Sequence, residues 1–456
     1  MTLALLLPWL LPPALGQAAP QDIWVRAPSP EARAHLRRPD LGFAEGTSGD
    51  WIRLHADPSG LTAIKEAGLD WRPSAPPPPG FPAGYHTPSQ AIDLLTELAT
   101  SDLAELIELG ESRWGQPIVG LRITANSAPQ GQWRVLGTHH GDELPGGEVA
   151  LAFAQLLIDS YGVDAELTAL LERDAVWIVP HINPDGLSQV SRYNAIGVDL
   201  NRNYGYQWTE SAYRPGERPF SEPESRAVRG LSSWNPFQAG LSLHAGASNL
   251  GWVWNYTTTH PPDASLVESM AEAYDDQCAA PDFWITSGAD WYITYGDTTD
   301  WSYGRRGMLE FTLELSADKT PDYNEIEGII ADHLPSMRAF VLWPHRVTGQ
   351  VTDASTGRAI PATVARPSGR SQPLVTGIDG RFALSVSQEG SHSVEVYAQG
   401  YTSTQLILQT DDDPVLIALG PASLGTARPE PAILSQSGDG TFQLEGDLVW
   451  LHRPGE

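Results

Sequence analysis

The sequence predicts an α/β protein in which a mixed, mostly parallel central sheet is flanked by helices and followed by a small all-β sandwich. Between residues 85 and 344, segments with strand and helix periodicity alternate, a pattern typical of sheets covered by helices. Polar loops follow the strand-like segments, where the functional residues of such sheets collect. Over residues 345–419, short strand-like runs separated by Gly and Asp turns predict a sandwich of antiparallel strands.

The elements of the first part can be assigned in chain order. A helix is predicted at Ser89–Leu98, where Ile92, Leu95 and Leu98 share one face. The next apolar runs predict strands at Ile118–Ile123, Trp133–Leu136 and Ala175–Val179. A helix precedes the last of these strands, and its apolar face carries Val149, Phe153, Leu156 and Leu157. A further strand is predicted at Met308–Leu315 and a closing amphipathic helix at Glu325–Trp343.

Composition restricts the class of partner. The chain has 456 residues, enough for two or three domains, and its 56 acidic residues outnumber its 28 basic ones, for a net charge of -28. Nucleic acid and anionic membranes require basic patches, so neither is expected as a partner. The acidity mildly favours cationic ligands, and it serves solubility equally well. Cys278 stands alone, so no intrachain disulfide can form, and we expect it to be a buried apolar residue rather than a nucleophile.

The chain also divides by composition. Residues 1–19 resemble a signal peptide, because an apolar run leads into small residues, and we expect a secreted or periplasmic protein. Residues 20–72 are predicted to form a leading segment or pro-segment with a strand at Asp50–His55 and a helix at Leu61–Gly68, and residues 73–84 are a Pro-rich linker. No later stretch is apolar enough to cross a membrane. Residues 85–344 form the main domain, and residues 420–456 a tail to which we assign no role.

The loop after the Trp133–Leu136 strand carries two potential metal ligands, His140 and Glu143. A neutral imidazole and a carboxylate three positions apart can converge on one Zn²⁺, but a polar surface turn is the alternative for so short a motif. His244 ends a later apolar run and would alone be interpreted as a core histidine. Together the three residues make a His₂Glu set, a catalytic zinc arrangement when water takes the fourth place.

Three further stretches could carry chemistry. On the Met308–Leu315 strand, Glu310, Thr312 and Glu314 share a face, so Glu314 is either exposed to solvent or a buried general base with a raised pKa. Asn201 and Arg202 can grip a carboxylate, although both could be solvated loop residues, and Arg192 adds a second cation to the same stretch. The aromatic loop that contains Tyr292 and Asp297 serves either packing or chemistry.

Five motifs in a fixed order resemble the zinc metallocarboxypeptidases, the family of the pancreatic carboxypeptidases and of carboxypeptidases N, E and D. They are His-x-x-Glu at His140, Asn-Pro-Asp-Gly at Asn183, Asp-Leu-Asn-Arg-Asn at Asp199, Ser-Leu-His at Ser242 and Thr-Leu-Glu-Leu at Thr312. The resemblance covers residues 85–343. The sandwich at 345–419 resembles the transthyretin-like module of the N, E and D type.

The resemblance implies a carboxypeptidase that hydrolyses the C-terminal bond of peptides or proteins through a water activated at one zinc ion. The implied metal ligands are His140, Glu143 and His244, and the implied general base is Glu314. The other implied roles are polarisation of the scissile carbonyl by Arg192, capture of the terminal carboxylate by Asn201 and Arg202, and closure by Tyr292.

Several points stay open from the sequence. Thr299 is neither the acidic residue of one basic-specific group nor the bulky apolar residue of the apolar-specific group, so the preferred terminal residue is undetermined. Asp297 or Asp263 could receive a basic side chain, or either could cap a loop. A zinc amidohydrolase acting on cell-wall or modified peptides is the alternative enzyme, and a non-catalytic binding protein on the same scaffold is a third interpretation. We expect a monomer.

Overall fold

Two separately folded units make up the chain, Met1–Pro76 and Pro77–Glu456. The computed structural model describes residues 21–29, 32, 36, 41, 43–48, 50–56, 58–73, 80–366, 372–410, 413–422, 434–436 and 442–444. The predicted signal peptide, residues 74–79 of the predicted linker and most of the tail lie outside these residues.

The first unit contains a four-stranded antiparallel sheet in the order β2-β3-β1-β4. Its elements are β1 (Gln21–Arg26), β2 (Phe43–Ser48), β3 (Trp51–Ala56), helix α1 (Pro58–Glu66) and β4 (Trp71–Pro73). Alternate residues of β1 and β3, such as Ile23, Val25 and Leu54, are buried together with Ile64 of α1. This period of two is what an antiparallel sheet with one covered face requires.

The second unit is built on an eight-stranded sheet in the order β11-β10-β12-β9-β7-β8-β6-β5. Its strands are β5 (Ala104–Glu111), β6 (Pro117–Ile123), β7 (Gln132–Gly137), β8 (Ala175–Val179), β9 (Ala239–His244), β10 (Ala247–Trp252), β11 (Trp284–Ser287) and β12 (Leu309–Ser316). The pairs β7–β8, β7–β9, β9–β12 and β10–β11 are parallel, and the other neighbours are antiparallel. The predicted α/β class with a mixed, mostly parallel sheet is confirmed.

Helices cover both faces of this sheet. They are α2 (Pro88–Leu98), α3 (Pro145–Ser160), α4 (Ala165–Arg173), α5 (Pro184–Ser188), α6 (Pro223–Trp234), α7 (Ala264–Asp275), α8 (Gly288–Trp291), α9 (Thr298–Arg306) and α10 (Tyr323–Val341). Val149 and Phe153 of α3 pack with Leu241 in one cluster, whereas Val228 of α6 packs with Leu136 in another. None of the described helices combines the length and apolar composition needed to cross a membrane.

Local signals explain where the predicted helices begin and end. The backbone N–H of Thr87 donates to Gln90 Oε1 at 2.9 Å and the Thr87 hydroxyl accepts from Gln90 N, so a capping box starts α2 one residue before the predicted start. Asp322 caps α10, which begins two residues before the predicted Glu325 and ends at Val341, two before the predicted end. The sequence therefore placed both helices correctly and missed their ends by one turn or less.

Two small sheets follow α10 and share one apolar core. Their strands are β13 (Arg346–Asp353), β14 (Thr363–Ala365), β15 (Leu374–Val375), β16 (Arg381–Ser385), β17 (Ser391–Tyr397), β18 (Thr404–Gln409) and β19 (Val415–Leu419). The sheet orders are β16-β13-β19 and β15-β14-β17-β18, and Val347, Phe382 and Val394 are buried between them. The predicted all-antiparallel pairing is wrong in one place, because β13 and β19 are parallel.

A last hairpin lies in the tail. Leu434–Gln436 (β20) pairs with Phe442–Leu444 (β21) in antiparallel fashion. This pair belongs to the tail at residues 420–456, to which the sequence assigns no role.

Candidate metal centre and active site

Three of the predicted site residues meet at one edge of the central sheet. His140 and Glu143 lie in the loop between β7 and α3, and His244 is the last residue of β9. Because β7 and β9 are parallel neighbours, their carboxyl ends open onto the same edge. All three side chains are buried, with exposed fractions of 3% or less.

The three side chains present their ligand atoms to one point. His140 Nδ1 and His244 Nδ1 lie 3.1 Å apart, and each lies 2.9 Å from one carboxylate oxygen of Glu143. One ligand atom from each residue falls within 4.8 Å of the others. Tetrahedral zinc with bonds of about 2.0–2.2 Å holds its ligand atoms roughly 3.4 Å apart, close to these separations. Two imidazole nitrogens and a carboxylate are also donors that zinc prefers, so the set fits one zinc ion.

A buried carboxylate supports the first histidine from behind. Asp199 Oδ1 lies 3.2 Å from His140 Nε2, the ring nitrogen that faces away from the other two ligands. Asp199 Oδ2 accepts from Arg192 Nε at 3.0 Å. Burial by itself raises the pKa of Asp199, yet Arg192 and His140 hold that pKa well below its usual range. An ionised Asp199 fixes the tautomer and the ring orientation of His140, as carboxylate partners of metal-bound histidines do.

The predicted polarising residue lies beside the ligand trio. Arg192 Nη1 is 3.2 Å from His140 Nδ1 and 3.5 Å from Glu143 Oε1, and the side chain is buried. Its other contact, to Asp199, holds the guanidinium in place. A fixed cation at this point can stabilise negative charge that develops next to the metal ligands.

Glu314 reaches the site through strand register. It lies on β12, and it pairs with His244 of the parallel strand β9. Side chains at paired positions on neighbouring strands project from the same face of a sheet, so the carboxylate stands next to the third ligand. The residue is 5% exposed, which answers the question left by the sequence: this glutamate is not on a solvent face.

The predicted carboxylate-binding residues occupy a short 3₁₀ turn, Leu200–Arg202, that follows Asp199. Both side chains are buried. Asn201 Oδ1 accepts the backbone N–H of Thr298 at 3.0 Å, and Arg202 Nη1 donates to the Asn201 carbonyl at 2.7 Å. The first of these bonds fixes Asn201 next to the segment that carries Asp297.

Tyr292 lies at the carboxyl end of α8 and is partly exposed. Burial raises the pKa of its phenol to about 12, and the charges of Arg202 and Glu314 act on it in opposite directions. The phenol stays protonated at neutral pH and can therefore donate a hydrogen bond.

Residues 91–336 match the family model described as zinc carboxypeptidase, which covers more than half of the chain. The chain belongs to the zinc carboxypeptidase family. The resemblance drawn from the five motifs is confirmed, and so is the single zinc ion as the cofactor of this family.

Individual family members agree with this assignment. Carboxypeptidase D of Anas platyrhynchos is 26% identical over 344 residues, which cover 68% of this chain and 24% of that protein. Carboxypeptidase SOL1 of Arabidopsis thaliana is 29% identical over 327 residues, covering 67% of this chain and 63% of that one. The chain thus spans about a quarter of the length of the first relative and just under two thirds of the length of the second. A carboxypeptidase A structure from Helicoverpa armigera has the same fold, with a TM-score of 0.58 at 19% identity and coverage of 70% of this chain and 96% of that one.

Within this zinc carboxypeptidase fold, Asp297 and Asp263 are both occupied by structural contacts. Asp297 caps α9: Oδ1 accepts from Asp300 N at 2.8 Å and Oδ2 from the Thr294 hydroxyl at 2.7 Å. Asp263 accepts from the Tyr303 hydroxyl at 2.7 Å and pairs with Arg366 at 2.5 Å. Asp297 thus makes the contacts of a helix cap, whereas the Asp263 side chain makes no capping hydrogen bond to the described residues of its helix. A role of either carboxylate in receiving a basic side chain of a substrate stays a prediction.

Sequence reasoning missed a lysine of the site. Lys319 Nζ lies 3.3 Å from Glu143 Oε1 and 3.3 Å from Asp142 Oδ2, and it is 2% exposed. Burial by itself raises the pKa of Glu143, but His140 and Lys319 hold that pKa well below its usual range. Lys319 belongs to none of the five motifs, and the only available signal was its position five residues after Glu314.

Proposed function

We propose that the protein is a zinc-dependent metallocarboxypeptidase that removes single residues from the C-termini of peptides or proteins. One observation carries the proposal: in a member of the zinc carboxypeptidase family, His140, Glu143 and His244 converge while Glu314 stands directly opposite His244 in the sheet. Ligand donors and a proton acceptor are then present at one edge, which is what hydrolysis of a peptide bond requires.

Three residues would hold the metal, with Asp199 orienting His140 from behind. When bound, zinc supplies Lewis-acid polarisation of the groups that enter the site. Arg192 contributes a fixed positive charge for the oxygen of the scissile carbonyl, supported by its bonds to Asp199.

Glu314 moves the proton. Its carboxylate accepts a proton from the attacking water and returns it to the nitrogen of the leaving residue, the paired task of a general base and general acid. Its buried position on β12 beside His244 supports this role, because the proton acceptor must stand next to the metal ligands.

Asn201 and Arg202 bind the free carboxylate of the substrate. The guanidinium and amide groups lie side by side on one turn, and a planar guanidinium pairs well with a carboxylate. The protonated Tyr292 phenol would donate a hydrogen bond to the same substrate carboxylate. Recognition of this carboxylate would restrict cleavage to the last peptide bond.

The test replaces Glu314 with Gln, which keeps size and removes proton transfer. We expect turnover of peptides with free C-termini to fall by about 10²–10⁴-fold while one zinc per chain stays bound. A peptide panel that varies only the last residue is run with and without a chelator, and C-terminally amidated copies are the controls. Unchanged turnover in Glu314→Gln would remove the base role, and equal cleavage of amidated copies would favour the amidohydrolase alternative.

We also propose that the protein is exported and that residues 345–419 form a transthyretin-like module after a catalytic domain at residues 85–344. The apolar composition of residues 1–16 supports export, and two small sheets with a shared core support the module.

A further inference from the structure

We propose that the sandwich fixes the position of helix α9 through one buried carboxylate, Asp263, and that α9 in turn positions the substrate-binding residues Asn201 and Tyr292. The inference rests on the proposed function, which gives these two residues their substrate-binding roles. Asp263 and its sandwich partners, Arg366 and Gln372, act through α9 and do not touch a substrate, so they are positioning residues.

Two residues of the sandwich hold Asp263. Arg366 follows β14, and its Nη1 pairs with Asp263 Oδ1 at 2.5 Å, while its Nη2 donates to the Ser385 carbonyl of β16 at 3.0 Å. The backbone N–H of Gln372 donates to Asp263 Oδ2 at 3.1 Å. The Asp263 side chain is 4% exposed and that of Arg366 19%, so water screens this ion pair only weakly. The carboxylate is therefore tied firmly to the sandwich.

The same carboxylate holds the last turns of α9. The Tyr303 hydroxyl donates to Asp263 Oδ2 at 2.7 Å, and Tyr303 is fully buried. One residue further along the helix, the Gly304 carbonyl accepts from Gln372 Nε2 at 2.8 Å. Asp263 thus lies between the sandwich and α9, and Gln372 contacts both the carboxylate and the helix.

The backbone of the sandwich also closes on the end of α9. Gly307 ends the helix in the left-handed conformation, with a φ of 68°. A Cβ atom at this position would overlap the carbonyl of Pro373, the residue that precedes β15. The close approach limits movement of the helix end towards the sandwich, and the bonds to Asp263 and Gln372 limit movement away from it.

The first turn of α9 lies at the proposed active site. The backbone N–H of Thr298 donates to Asn201 Oδ1 at 3.0 Å and so fixes the amide of Asn201. The hydroxyl oxygens of Thr299 and Thr312 are 2.9 Å apart, and Thr312 shares one face of β12 with Glu314. The helix therefore reaches from the sandwich border at one end to the proposed base and carboxylate-binding residue at the other.

Asp300 links the same turn of α9 to the aromatic loop. Its two carboxylate oxygens accept the backbone N–H groups of Asn255 at 2.9 Å and Tyr256 at 3.1 Å. The Asn255 carbonyl in turn accepts the backbone N–H of Thr294, two residues after Tyr292, at 3.0 Å. A shift of α9 is thus passed on to the backbone that carries Tyr292.

A short helix transmits such a shift along its length. α9 has nine residues, is capped by Asp297 at its start and ends at Gly307, so its backbone hydrogen bonds make it move as one body. Contacts at its last turn therefore restrict its first turn. Packed elements of this kind carry coupling between distant sites when both sites bias their position.

The first measurement is amide hydrogen exchange, which does not depend on turnover. Arg366→Met removes the cation that faces Asp263 and keeps most of the length of the side chain. We expect the amide hydrogens of Thr298, Asn255 and Tyr256, followed in the peptides that contain them, to exchange about 2- to 30-fold faster than in the wild type. The reason is that a less firmly held α9 opens these hydrogen bonds more often.

Two control variants separate this effect from a general loss of stability. Arg366→Lys keeps a positive charge near Asp263 without the planar fork, and its exchange should lie between that of the wild type and that of Arg366→Met. Arg346→Met breaks another buried ion pair between the same two parts, the pair with Asp174. It should change exchange at Thr298 by less than about twofold, as expected of a contact that acts outside this coupling.

The second measurement separates binding from chemistry. With peptides that have free C-termini, we expect Arg366→Met and Gln372→Ala to raise KM by about 2- to 30-fold and to change kcat by less than about twofold. Asn201 and Tyr292 would hold the terminal residue rather than move a proton, so loosening them weakens binding. Arg346→Met should keep the KM of the wild type.

The outcomes separate this inference from the proposed function. Wild-type exchange rates together with a wild-type KM in folded Arg366→Met would overturn the inference, and so would an equal rise of KM in Arg346→Met. If the wild type itself leaves these peptides intact, the proposed function fails. The exchange rates then decide alone whether the sandwich positions α9.

Discussion

His181 is a buried histidine two residues after β8, and it takes no part in the proposed chemistry. Its Nδ1 lies 3.2 Å from the Thr138 hydroxyl, two residues before the first metal ligand in the chain. Burial, together with the nearby His86, lowers the pKa of His181 to about 3. The ring is therefore neutral in the folded protein wherever the protein is expected to work.

The first prediction is that His181 makes the fold sensitive to acid. The unfolded chain binds a proton at this residue below about pH 6.5, whereas the folded state binds it only near pH 3. Stability is thus fully present above pH 6.5 and is lost as the pH falls, by up to about 2 kcal/mol between pH 6.5 and 5.0. Thermal midpoints at pH 7.5 and 5.0 should differ less in His181→Gln than in the wild type. The control is His260→Gln at an exposed histidine, and equal pH dependence in all three proteins would contradict the prediction.

Single residues also show what the motifs could and could not predict. His140, Glu143 and His244 were found because each belongs to a motif with a fixed order, and the structure brings them within ligand distance of one another. Asp199 was predicted only as part of a motif, not as the partner of His140. Lys319 carries no motif at all, and its contact with Glu143 depends on how the chain returns after β12.

At the scale of elements, the loop after β7 depends on a close approach to α5. Asn183 caps α5 by accepting from Gly186 N at 2.9 Å, and its Nδ2 donates to the His139 carbonyl at 3.0 Å. A Cβ atom on Gly141 would overlap the backbone of Gly186. The Asn-Pro-Asp-Gly motif therefore holds the metal-ligand loop in position, and glycine is required where the two backbones meet.

The second prediction tests this contact with Gly141→Ala. The added methyl group meets backbone that cannot move cheaply, so the loop carrying His140 and Glu143 must shift, at a cost of about 1–3 kcal/mol. We expect lower zinc affinity in chelator competition together with a lower thermal midpoint.

A matched glycine gives the opposite expectation. Gly230 lies within α6, and a Cβ atom there would meet nothing within 4 Å. Gly230→Ala should leave zinc affinity unchanged and raise the stability by about 0.5–1 kcal/mol, since alanine favours helix interiors. If Gly141→Ala behaved like Gly230→Ala, the close approach would have no bearing on the site.

The bounds of single strands and helices could be predicted from local sequence patterns. The pairing of strands in the sheets could not. The predicted strand Ala175–Val179 has the observed bounds of β8, because a short apolar run needs no partner to be recognised. Register is different: Glu314 faces His244, and Ser242 lies beside Leu136 of β7, only because distant segments align in the sheet. The parallel pairing of β13 with β19 escaped prediction for the same reason.

At the scale of the second unit, the central sheet and the two small sheets are joined by buried polar contacts. Arg346, the first residue of β13, pairs with Asp174 at the start of β8 at 2.5 Å. Asp263 pairs with Arg366, and Trp343 Nε1 donates to the Val386 carbonyl at 3.1 Å. The change of composition after Pro344 predicts a border between the two parts. It could not predict these contacts, because each joins segments that are far apart in the chain.

The last prediction concerns the Arg346–Asp174 pair. Both side chains are almost fully buried, and Asp174 Oδ1 also accepts from Gly131 N at 3.0 Å. Arg346→Met removes the cation and leaves a buried carboxylate with weaker compensation, so we expect a loss of about 3 kcal/mol, the lower end for breaking a buried pair. A thermal midpoint lower by roughly 4 °C would report it, because the unfolding entropy of the whole second unit, Pro77–Glu456, divides the loss.

Two further variants decide whether the loss comes from the buried charge. Arg381→Met removes an ion pair to Asp379 in which both side chains are at least one third exposed, and it should cost less than about 1 kcal/mol. Adding Asp174→Asn to Arg346→Met removes the uncompensated charge. The thermal midpoint of the double variant should therefore lie above that of Arg346→Met alone. If the double variant is no more stable than Arg346→Met, the charge is not the cause, and the contact joins the sheets through packing of the arginine stem alone.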